Sequence, residues 1–211
     1  MTTISDASIL AIPIQECGEV LVNLRDYSEF AVHPDNAALP ASSLYVRKTL
    51  ADKLIAAQSQ LQGYRLMLVE GLRQISLQAS YFDEYVAELQ SAHPDWPQDR
   101  LHQEASKYVA PPENTPPHST GGAIDLTLCT RDGRELDMGA QLNATPKDTA
   151  NAVFMDAANI SADARKYREI LQQALKRVGL VNYPYQYWHW SYGDRYWAYV
   201  TNAEYAVYGA L

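Results

Sequence analysis

Apolar and polar positions change period several times along the chain, and each change marks an element. Residues 1 to 43 hold short strand-like pieces such as Val20-Leu-Val-Asn-Leu24, interrupted by Pro34 and Pro40. From Ser43 the pattern turns helical. Leu50, Leu54, Ala57 and Leu61 recur at spacings of four, three and four and form one apolar stripe, with Ser42 or Ser43 as the cap and Gly63 as the stop. Tyr64-Arg-Leu-Met-Leu-Val-Glu70 has the composition of a buried strand. A second helix is predicted from Ser76 to about Ser91, with Leu77, Phe82, Tyr85, Val86 and Leu89 inward. The run Ala123 to Leu128 alternates, so Ile124, Leu126 and Leu128 share one strand face while Ala123, Asp125 and Thr127 share the other. Arg131-Asp-Gly-Arg134 marks a hairpin-type turn. Ser161 caps a third helix with Tyr167, Ile170, Leu171, Ala174, Leu175 and Val178 on its apolar face and Gly179 at its end. Asn182 to Tyr192 is expected to be an aromatic-rich strand. Strands and helices are intermixed, which predicts a single α+β domain over residues 1–211, with a mostly antiparallel central sheet flanked by helices.

Composition narrows the class. The 211 residues carry 47% hydrophobic and 20% charged side chains, a globular balance with enough chain for a sizeable core. A net charge of -8 and the lack of a basic run argue against nucleic acid as a partner. No apolar stretch approaches the roughly 18 residues of a membrane span. The N-terminal residues lack a basic region followed by an apolar core, so a cytoplasmic location is expected. Cys17 and Cys129 suggest no disulfide framework. The sequence is silent on oligomeric state.

The chemistry concentrates in His118-Ser-Thr-Gly-Gly-Ala-Ile-Asp125. Gly121 and Gly122 allow a sharp bend that can return the imidazole towards the carboxylate. One reading is a pair of zinc ligands; the other is a turn entering a strand, with Asp125 hydrogen-bonded to a neighbour. His189, between Trp188 and Trp190, is either a packed core residue or a third donor. Three protein ligands and an open fourth position make a catalytic zinc arrangement. His93 and His102 lie in a polar stretch and read as solvated. Arg73, after Gly71 at the exit of a strand, either points into a cleft or forms a surface salt bridge.

These blocks resemble the D-alanyl-D-alanine dipeptidases of the vancomycin-resistance type, within the zinc D-Ala-D-Ala peptidase family. The similarity rests on Pro116-Pro-His-Ser-Thr-Gly-Gly-Ala-Ile-Asp-Leu-Thr-Leu128, on Gln186-Tyr-Trp-His189, on Glu70-Gly-Leu-Arg-Gln74 and on Met138-Gly139, and runs from about Ser43 to Trp190. The resemblance implies a Zn2+ ion held by His118, Asp125 and His189. It implies Arg73 as the group that stabilises the oxyanion and position 186 as the catalytic base. The expected reaction is hydrolysis of a small D-Ala-D-Ala-like dipeptide by attack of a zinc-bound water. The alternatives are a non-catalytic zinc or dipeptide-binding protein and a D,D-carboxypeptidase acting on longer cell-wall peptides.

The departures from the family pattern are as informative as the matches. The family's catalytic glutamate falls where this chain has Gln186, and an amide cannot take a proton from water at neutral pH. That predicts a loss of roughly 100- to 10,000-fold, the usual share of general acid–base catalysis. It fits either an engineered Glu-to-Gln form or a natural member that only binds. Asn143 stands where vancomycin-type relatives carry an aspartate for the substrate ammonium, and Pro116 replaces a serine.

Overall fold

In the computed structural model, which describes residues 2–211, the chain is an α+β fold. The elements that matter for the site are strands β1 (Leu21–Asn23), β2 (Ala31–Val32) and β3 (Tyr45–Arg47), helix α2 (Lys48–Gln58), strand β4 (Tyr64–Glu70), helices α3 (Ile75–Ala92) and α4 (Gln98–Ala105), strand β5 (Ala123–Thr130), helix α5 (Ala162–Arg177), strands β6 (Val181–Asn182) and β7 (His189–Ser191) and helix α6 (Arg195–Thr201). A one-turn helix, α1 (Ala7–Leu10), precedes them. The main sheet has the order β2-β4-β5-β7-β6, and β1 pairs with β3 in a separate antiparallel ribbon. Within the main sheet only β2 and β4 run parallel, so the expected mostly antiparallel sheet is found with one parallel edge.

Sheet pleating divides the fold into a core side and a cleft side. Leu66 and Leu68 on β4, Ile124, Leu126 and Leu128 on β5 and Trp190 on β7 pack with Leu50 and Leu54 of α2 and Leu171 and Leu175 of α5. All these side chains are buried, and each contributes about 1.5–3 kcal/mol of transfer free energy. The opposite face carries Asp125 and His189, and a register shift between Leu68 and Glu70 brings Glu70 to them, so that the three are direct partners across neighbouring strands. Helices α3 and α4 pack on each other through Phe82, Val86, Leu101 and Ala105.

Two local expectations are corrected. Ser42 and Ser43 do not cap α2. They lie in a 3-10 turn, Ala41–Leu44, and β3 intervenes before the helix starts at Lys48. The apolar stripe was legible, but it continues through the non-helical turn to Leu61, which moved the apparent start and end of the helix. The aromatic stretch 182–192 is not one strand. Residues 183 to 188 form a turn between β6 and β7, in which the Tyr183 carbonyl accepts from the Gln186 N–H at 2.9 Å. The Asn182 amide holds that turn by donating to the carbonyls of Gln186 and His189 at 3.0 and 2.9 Å. The polar stretch around His93 and His102 contains α4, which hides Leu101 and Ala105, and α6 follows the last element that the sequence predicts. Among the described residues no helix is long and apolar enough to cross a membrane.

Candidate metal centre

His118 sits in a 3-10 turn, Pro117–Thr120, just before β5. Pro117 fixes the first position of that turn, and Gly121 leaves it at φ +71°, in the left-handed region that favours glycine. The reversal brings the His118 ring back over Asp125, as the spacing of the two residues predicts. Gly71 makes the other close approach. A Cβ there would come within 2.8 Å of the Tyr45 carbonyl and of Val46, so only glycine lets the exit of β4 lie against β3. Its carbonyl accepts a 2.6 Å hydrogen bond from His118 Nδ1. A carbonyl can only accept, so the neutral ring carries its proton on Nδ1 and presents a bare Nε2 lone pair.

That lone pair meets two others. His118 Nε2 lies 3.1 Å from His189 Nδ1 and 3.3 Å from Asp125 Oδ1, and His189 Nδ1 lies 2.9 Å from the same carboxylate oxygen. All three side chains are buried. A tetrahedral ion with bonds of about 2.0–2.2 Å holds its ligands roughly 3.3–3.6 Å apart. The donor set therefore fits such a metal with shifts of a few tenths of an ångström. His93 and His102 are not part of the cluster: His93 stacks on Trp96 with ring centroids 3.8 Å apart, and His102 is exposed.

Without a metal the cluster holds itself together by charge. Burial works against the ionised form of Asp125, yet the neighbouring His118 charge and hydrogen bonds from both imidazoles outweigh it and hold the carboxyl far below its ordinary range. Burial likewise opposes a charged His118, but the Asp125 carboxylate prevails and raises its pKa.

The cluster forms the floor of a cavity of about 390 Å³. Arg73 and Gln186 line the same cavity, so the structure brings together all five residues singled out in the sequence. Gln186 projects from the β6–β7 turn, and among the described residues its side chain has no hydrogen bond. Asn143, at φ +60°, and Pro116 also line the cavity. One wall belongs to α3, whose Tyr81, Glu84, Tyr85 and Glu88 recur at helical spacing towards the cavity.

Sequence reasoning missed the residues that fix Arg73. Arg73 is not a surface arginine: its guanidinium donates from Nε to Glu70 Oε1 at 2.9 Å, from a terminal nitrogen to Glu70 Oε2, and from the other to Gln78 Oε1 at 2.9 Å. The Tyr81 ring lies 4.9 Å from the guanidinium carbon. Burial opposes the charge, but Glu70 more than compensates and raises the Arg73 pKa. Only one signal pointed to these partners: Glu70, an acid directly after the apolar run Leu66 to Val69.

Two imidazoles and a carboxylate converging at the floor of an open cleft, beside a fixed guanidinium, make the site of a metallopeptidase. The D-ala-D-ala dipeptidase family model matches residues 35–207, and the chain belongs to that family. A D-alanyl-D-alanine dipeptidase of Synechocystis sp. is 29% identical over 92% of this chain and 90% of its own length. Among solved structures, the LdcB LD-carboxypeptidase is similar at 22% identity and a TM-score of 0.49, covering 91% of this chain and 76% of that one. A vancomycin-resistance D,D-pentapeptidase mutant in complex with Zn(II) is similar at 17% identity and a TM-score of 0.44, covering 77% and 80%.

Proposed function

We propose that this chain has the site of a zinc dipeptidase for a D-Ala-D-Ala-like substrate and that Gln186 leaves it short of a proton acceptor. The observation that carries the zinc reading is the set of three buried donors within 4.8 Å of one another, two of them imidazoles and one a carboxylate. Zinc bound there would supply a Lewis acid for the scissile carbonyl and acidify a water. Asp125 and the two imidazoles would hold it, with the His118 tautomer fixed by Gly71. Arg73 still has one N–H on each terminal nitrogen for the oxygen that gains charge as the carbonyl becomes tetrahedral. Gln186 can orient a water through its amide but cannot remove a proton. The neutral Asn143 would grip a substrate ammonium less firmly than a carboxylate would.

Gln186 itself favours a second reading, a protein that binds zinc and dipeptide without turning it over. Metal analysis of the purified chain, with turnover of D,D-, L,D- and L,L-dipeptides and a longer cell-wall peptide by the parent and by Gln186→Glu, separates the two. Zinc with revived D,D-dipeptide cleavage supports the peptidase. Zinc and dipeptide binding with no revival supports the binding protein. Absence of stoichiometric metal overturns both.

A further inference from the structure

We propose that Glu70 and Gln78 are positioning residues that aim the free edge of Arg73 at the reacting carbonyl. The proposal rests on the reading of Arg73 as the group that meets that carbonyl.

Arginine has five N–H donors in one rigid plane. Glu70 takes two of them in a fork, and Gln78 takes one on the remaining terminal nitrogen. One N–H on each terminal nitrogen is left. Tyr81 lies against the guanidinium, so the plane has little freedom to turn.

Gln78 is suited to this task as few residues would be. It is buried, and its amide is used at both ends: Oε1 accepts from Arg73, while Nε2 donates to the Ala110 carbonyl at 2.7 Å. The second bond fixes which way round the amide sits, so the oxygen must face the guanidinium. Ala110 begins the proline-rich approach to His118, and the Arg73 N–H donates to the His118 carbonyl at 3.1 Å. The metal-ligand turn, the first turn of α3 and the arginine are thus tied into one unit. Glu70 completes it as the direct strand partner of Asp125. A leucine at 78 would fill the space yet release one side of the guanidinium, whereas a glutamate would keep the acceptor towards Arg73 and set its second oxygen against the Ala110 carbonyl in place of the donated bond.

The test uses the zinc-loaded full chain, a phosphinate analogue of D-Ala-D-Ala as a tetrahedral mimic, and nitrogen-15 NMR of the Arg73 guanidinium, assigned by its loss in Arg73→Lys. Gln78→Leu should weaken the analogue about tenfold or more, as expected when a catalytic group shifts by a fraction of an ångström. It should speed exchange of the Arg73 N–H signals and leave zinc affinity unchanged. Gln78→Glu should keep analogue affinity within a few-fold. In an Arg73→Ala background, Gln78→Leu should cost nothing further, the signature of a residue acting through another. An equal loss with and without Arg73, or equal losses for Gln78→Leu and Gln78→Glu, overturns the proposal. If the parent chain does not bind the analogue, the proposed function falls instead. The NMR then decides the clamp: unchanged Arg73 exchange in Gln78→Leu refutes it, and faster exchange sustains it.

Discussion

Asp125 and His189 are direct partners across β5 and β7, and the carboxylate oxygen of one lies 2.9 Å from Nδ1 of the other. Sheet register thus sets this edge of the candidate metal centre before any metal binds. His118 is held differently, by a turn and by a hydrogen bond to the Gly71 carbonyl. The two histidines should therefore fail in different ways.

His118→Ala removes one donor from a turn that has its own capping bonds, including Ser119 Oγ to Pro116 O and Thr120 Oγ1 to Pro117 O, both 2.7 Å. The parent is expected to hold about one zinc per chain, and this variant to lose it with the fold retained. Elemental analysis after gel filtration, with circular dichroism, checks both. Full zinc occupancy in His118→Ala would mean that the metal lies elsewhere.

Arg73→Ala is expected to do two things. In a Gln186→Glu background it should lower kcat/KM by roughly 100-fold or more, the range for loss of an oxyanion donor. It should also lower Tm, because it leaves Glu70, only 5% exposed, without its cation. Breaking a buried pair costs about 3–5 kcal/mol. The sequence alone assigned Arg73 to the transition state rather than the fold; the buried fork to Glu70 adds a structural duty to the one proposed for it. Arg73→Ala combined with Glu70→Gln should recover much of the Tm and none of the turnover. Thermal melts and steady-state kinetics on the same preparations separate the duties.

What was legible in the sequence follows from periodicity and from spacing within one element. The β4 boundaries, the faces of β5 and the Ser161 cap of α5 were all readable, because each rests on neighbours in the chain. The five candidate residues were found partly by a family resemblance, and the fold brings them to one cavity. The supports of those residues were not legible. Gln78 on α3, Asn182 before the β6–β7 turn and the Gly71 carbonyl act through contacts fixed only when distant segments meet. Nothing in the local pattern distinguishes Gln78 from any exposed glutamine on a helix. The 183–188 turn was hidden for the opposite reason: its aromatic side chains look like a strand, but Tyr183, Tyr187 and Trp188 are buried from a turn instead.

Asp194 gives the pH dependence. It caps α6 by accepting from the Trp197 N–H at 2.7 Å and from Ser191 Oγ at 3.1 Å, and burial raises its pKa above the ordinary 3.8 of an aspartate. Its Oδ2 is buried with no hydrogen-bond partner among the described residues. A carboxyl whose folded pKa exceeds its unfolded one penalises folding when ionised. The penalty is complete above the folded pKa and fades as pH falls through that value towards 3.8. Asp194→Asn keeps an acceptor for the helix cap and cannot ionise. In metal-free protein its stability relative to the parent should therefore rise with pH across that window and level off above it. Urea unfolding of both chains at a series of pH values measures the difference. A constant difference would show that Asp194 has the same pKa folded and unfolded.

Restoring a carboxylate at position 186 tests the proposed function most directly. The side chain of Gln186 lines the cavity beside His189, in a turn held by the two Asn182 bonds to its own carbonyl and that of His189. Those bonds involve only the backbone of the turn, so exchanging the amide nitrogen for oxygen leaves them intact and hardly changes the volume. Among the described residues the side chain makes no hydrogen bond of its own that the exchange would break. Five carboxylates already line the cavity, Asp35, Glu84 and Glu88 on its walls and Glu70 and Asp125 at its floor, but Glu70 is neutralised by Arg73 and Asp125 faces the imidazoles. The new acid would therefore meet a site with room for its charge once the metal is present. A base in that position should raise turnover of a D,D-dipeptide by on the order of 100-fold or more, which corresponds to about 3 kcal/mol in the barrier. The parent should bind the same dipeptide with comparable affinity and cleave it far more slowly. Calorimetric binding to both chains, with single-turnover cleavage, makes the comparison. A zinc-loaded Gln186→Glu protein that binds the dipeptide but leaves every peptide of the panel intact would sink the peptidase reading and leave the binding protein standing.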